Sequence, residues 1–119
     1  MSDLDDGQAL IAVITTVSTR EEAQALARPL VEGGLVACAQ ISEIESFYRW
    51  EGALQQEWEC QLLLKTTLAR YAEVETALRS THPYSLPAIY ALPVVAQDGA
   101  YAQWVVDSLK PERLRPADV

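Results

Sequence analysis

The sequence predicts an α+β fold: a ferredoxin-like βαββαβ sandwich with a long β-hairpin and one extra C-terminal helix. Three observations predict it. The stretch from Ser46 to Thr67 carries the turn pair Glu51-Gly52 and then alternates like a strand. Apolar runs and segments of helical period follow in the order strand, helix, strand, strand, helix, strand. A chain of 119 residues with 50% hydrophobic content fits one domain, 1–119, around one core.

Each element has a local reason. Ala9 to Val17 is an apolar, β-branched run, suited to a central strand. Thr19 with Glu22 three positions on makes a capping box, and Ala23, Leu26, Ala27 and Leu30 then fall on one helical face. Pro29 should bend that helix or loosen its last turn, and Gly33-Gly34 should stop it. Leu35 to Tyr48 is the first arm of the hairpin. Thr67 is placed to cap a second helix with Leu68, Tyr71, Val74 and Leu78 on one face, ended by Pro83. Ala88 to Val95 is a strand, and Pro93 confines it to an edge or a bulge. Asp98-Gly99 turns the chain into a third helix with Tyr101, Trp104, Val105 and Leu109 expected inward. Residues 1–8 and 111–119 read as mobile tails.

The hairpin carries the first functional expectation. In its second arm Leu54, Gln56, Trp58 and Cys60 point one way, and Gln55, Glu57, Glu59 and Gln61 the other. An arm from Leu54 to Thr66 spans roughly 40 Å at about 3.3 Å per residue. A compact domain of this length has a radius of gyration near ~13–14 Å. A straight hairpin that long overhangs its own domain, so it should bend or pair with another copy. An oligomer is the expectation.

Charge and cysteines narrow the class. Nine Lys plus Arg against seventeen Asp plus Glu leave a net charge of −8, which disfavours nucleic acid and anionic membranes as partners. No apolar run reaches a membrane-spanning length, and the start MSDLDDGQ does not read as a signal peptide. If Glu51-Gly52 turns the hairpin, Cys38 lies opposite a residue between 64 and 66. Cys60 is then roughly 13–20 Å from that point along the strand, too far for a disulfide. Free thiols and a cytoplasmic setting follow.

Three groups of residues now combine: Cys38-Ala39-Gln40 with Ser46-Phe47-Tyr48-Arg49-Trp50-Glu51-Gly52; Glu57 through Lys65-Thr66-Thr67; and His82-Pro83-Tyr84-Ser85-Leu86-Pro87-Ala88-Ile89 with Tyr101 and Trp104. Their order and spacing, over Ile11 to Leu109, resemble the CutA family of divalent-cation tolerance proteins. The resemblance implies a ferredoxin-like subunit, a homotrimer packed like the P-II signalling proteins, a cytoplasmic protein, and an association with copper and other divalent metals. Two positions depart from the family pattern. Gln40 stands where many relatives carry Asn, and Ala88 where many carry Glu, so a possible metal ligand is missing there.

His82, the one histidine, and Cys38 are the candidate metal ligands, since imidazole and thiolate both suit copper. A structural role competes in each case: His82 stands at a helix end, and Cys38 lies in the apolar run Val36-Ala37-Cys38-Ala39. Trp50, Lys65, Tyr84, Glu57 and Glu59 are candidates for a ligand cleft between subunits. Glu57 and Glu59, about 6.6 Å apart on one strand face, could hold a cation or simply face water. Lys65 follows three apolar residues and should seek a carboxylate partner. No nucleophile–base pair and no glycine-rich phosphate loop is found, so no enzyme and no organic cofactor are expected. The expected function is divalent-cation tolerance with metal binding. The alternative is a P-II-like regulatory module taking a small ligand between subunits.

Overall fold

A computed structural model describes residues 7–111. Expectations about residues 1–6 and 112–119 lie outside them. The elements are β1 (Leu10–Val17), α1 (Arg20–Glu32), β2 (Cys38–Trp50), β3 (Ala53–Thr67), a 3-10 turn (Leu68–Arg70), α2 (Tyr71–Thr81), β4 (Ile89–Pro93) and α3 (Gly99–Ser108). The four strands form one antiparallel-paired sheet in the order β2-β3-β1-β4. β3 lies between β1 and β2, which gives the split β-α-β arrangement of a ferredoxin-like fold. Pro93 ends an edge strand, where its missing N–H leaves no ladder bond unmade.

Period-two alternation sorts the sheet into two faces. Ile11, Val13 and Val17 of β1 and Cys60, Leu62 and Leu64 of β3 point to one side. There they meet Ala23, Leu26, Ala27 and Leu30 of α1 and Val74 and Leu78 of α2. The α1 N-terminus has its capping box: Glu22 N–H donates to Thr19 Oγ1, and the Thr19 N–H donates to the Glu22 carboxylate. Pro29 stands in the last turn of α1. The helix ends in a Schellman pattern, with Leu35 N–H on the Leu30 carbonyl and Gly34 N–H on that of Val31. Gly34 takes the left-handed conformation this requires, with φ of 75°.

Three local expectations need correcting. Thr67 makes no side-chain cap: it closes β3, and a 3-10 turn precedes α2. That turn is fixed instead by Arg70, which is buried and donates to the Lys110 carbonyl. In α3 only Val105 is fully buried, while Tyr101 and Trp104 stay 38% and 49% exposed on the sheet's other side. One short helix cannot cover that face alone. Lys65 finds no carboxylate among the described residues and sits instead by the Tyr101 ring, its Nζ 3.4 Å from the hydroxyl.

The hairpin turns at Glu51-Gly52, with φ of 51° and 82°, and Trp50 pairs with Ala53. Cys38 lies opposite Lys65, within the expected range, and both cysteines are free. The helix-facing side of β3 is buried only from Cys60 onward. Towards the tip Trp58, Leu54 and Phe47 are 70%, 72% and 60% exposed. The radius of gyration is 15.8 Å, above the ~13–14 Å of a compact domain this long.

Candidate functional site

The face of the sheet away from α1 and α2 carries the site. Residues of one parity project there: Tyr48 and Trp50 from β2, Glu57 and Glu59 from β3, Thr16 from β1. Tyr48 is opposite Gln55, so Glu57 is its diagonal neighbour, and the Tyr48 hydroxyl donates to the Glu57 carboxylate at 2.6 Å. Thr16 is opposite Gln61, which puts Glu59 diagonally beside it.

Tyr84 arrives from the loop between α2 and β4. Its hydroxyl donates to Glu59 Oε2 at 2.9 Å and lies 3.0 Å from Ser18 Oγ. Together with Ser85, Leu86 and Ala88 these residues enclose an open cleft of about 500 Å³. Both phenols stay protonated over the physiological range. Tyr48 is pushed up to about 12, chiefly by its hydrogen bond to Glu57. Tyr84 is also pushed up to about 12, first by burial, with Ser18 lowering it and Glu59 raising it.

Glu59 is the unusual member. It is 8% exposed, yet among the described residues Tyr84 is its one hydrogen-bond donor, on Oε2. The ion pairs of the described residues are Arg20 with Glu43 and Arg70 with Glu73, and neither involves the cleft. No buried side-chain oxygen or nitrogen among the described residues lacks a hydrogen-bond partner, so the second Glu59 oxygen is reached from the cleft. No Lys or Arg lines the cleft, so Glu57 and Glu59 make it locally negative.

His82 serves the opposite side of the sheet. Its Nδ1 accepts the Tyr84 N–H at 3.1 Å. A neutral ring then carries its proton on Nε2 and donates to Thr15 Oγ1 at 3.0 Å. Burial lowers the His82 pKa, with the Thr16 backbone and the Glu22 carboxylate opposing that effect. Both ring nitrogens are thus engaged, and a metal on Nδ1 would displace a backbone hydrogen bond. His82 and Tyr84 therefore form a strap around the sheet edge, tied to Thr15 on one face and Glu59 on the other.

The sequence-selected residues separate into two groups. Trp50, Glu57, Glu59 and Tyr84 converge in the cleft. Cys38 and Lys65 are cross-strand partners elsewhere, and Lys65 is six residues along β3 from Glu59, roughly 20 Å away. Thr15 is in register with Leu62 and Leu62 with Ile41, so Cys38 lies roughly 14 Å from Thr15 and off the other face. His82 and Cys38 do not meet within one chain. No group of three or more His, Cys, Asp or Glu side chains among the described residues is arranged to hold a metal ion. Thr16, Ser18 and Leu86 were not singled out from sequence. Strand parity marks Thr16 only once the β1–β3 register is known.

The chain was compared with known proteins. A profile of the family described as CutA1 divalent ion tolerance protein matches residues 11–108. The divalent-cation tolerance protein CutA of Escherichia coli (strain K12 / DH10B) is 36% identical over 111 residues, 92% of this chain and 99% of that one. The structure of CutA from Synechococcus elongatus PCC7942 is similar at 42% identity and a TM-score of 0.83, covering 92% of this chain and 100% of that chain. A structure from Archaeoglobus fulgidus, named a periplasmic divalent cation tolerance protein CutA, is similar at 30% identity and a TM-score of 0.82, covering 85% and 99%. These names describe tolerance rather than a reaction, and they favour it over a P-II-like regulatory role. No helix among the described residues is long and apolar enough to cross a membrane.

Proposed function

We propose, given that this chain belongs to the CutA1 family of divalent ion tolerance proteins, that it acts in divalent-cation tolerance as a homotrimer binding a cation in the cleft of Glu57 and Glu59. One observation supports the site assignment: Glu57 and Glu59 face one cleft that no Lys or Arg among the described residues lines. A cation held between the two carboxylates would balance their charge. Glu57 contributes a second carboxylate, and Tyr48 and Tyr84 orient the pair by donating to one oxygen of each. Copper is the divalent ion expected to bind most tightly, because first-row affinity peaks at Cu²⁺ for nitrogen and oxygen donors. His82 and Cys38 remain available as copper donors only where a second copy brings them to a shared point. The two free thiols support a reducing, cytoplasmic setting.

Trp50 lines the cleft and supplies the readout. Cu²⁺ should quench its fluorescence saturably in the wild-type protein. Glu59→Gln should weaken that binding by about tenfold or more, the loss expected for a charged ligand. A double His82→Ala, Cys38→Ala variant should leave it largely intact. Quenching that survives Glu59→Gln and disappears in the double variant would move the metal to His82 and Cys38.

A further inference from the structure

We draw no further inference here: the strongest candidate, the strap of His82 and Tyr84 at the sheet edge, belongs to the site already described, where Tyr84 donates to Glu59.

Discussion

Two residues define the chemistry, and they sit on opposite faces of one sheet. His82 is held neutral by burial, with its two nitrogens engaged by Thr15 and the Tyr84 N–H. Its pKa is lowered in the fold, so below about 6.5 the unfolded chain binds more protons than the folded one. Stability should therefore fall as pH drops below that value and be fully retained above it. Urea unfolding at pH 7.5 and 5.5 should show this loss, and His82→Gln should reduce it, since no other histidine titrates there. Equal slopes in both proteins would remove the strap from the account. Of the site residues, Trp50, Glu57, Glu59 and Tyr84 could be selected from sequence because charge and aromaticity mark them. The buried state of Glu59 could not, because it depends on Tyr84 crossing the sheet edge, a contact 25 residues away in sequence. Thr15 and Ser18 carried no signal of their own.

At the level of elements, most boundaries follow from local chemistry. The capping box, the Gly33-Gly34 stop and the Glu51-Gly52 turn each act within a few residues, and each was legible in the sequence. What was hidden is long-range. The C-terminal segment crosses back to α1, where Lys110 N–H donates to the Gly34 carbonyl at 3.1 Å. Arg70 holds the same residue by its carbonyl. No propensity reports such a clasp, and Thr67 imitated a helix cap at that junction. Gly34 tests it. A Cβ there would meet the Lys110 backbone nitrogen at 2.8 Å, and its φ of 75° is strained for any side chain. Gly34→Ala should cost about 1–3 kcal/mol, read as a lower urea midpoint with little change in slope. A neutral result would mean that the segment does not pack there in solution.

The whole molecule is larger than its own core can cover. Phe47, Leu54 and Trp58 leave an apolar stripe on the outer hairpin, and Tyr90, Leu92 and Trp104 leave another on the open face. A second copy is the simplest cover for both, and a homotrimer of 13.1 kDa chains should elute at about 39 kDa in light scattering. Trp58→Glu with Leu54→Glu should shift it towards the single-chain mass, and an unshifted trimer would place the interface elsewhere. The central claim is that the exposed end of this sheet binds a cation at Glu57 and Glu59, which pair with no Lys or Arg among the described residues. Anomalous diffraction at the copper edge, from crystals grown with Cu²⁺, tests it most directly. The account predicts a peak within coordination distance of Glu59 in the cleft beside Trp50. A peak at His82 or Cys38 with an empty cleft would contradict it.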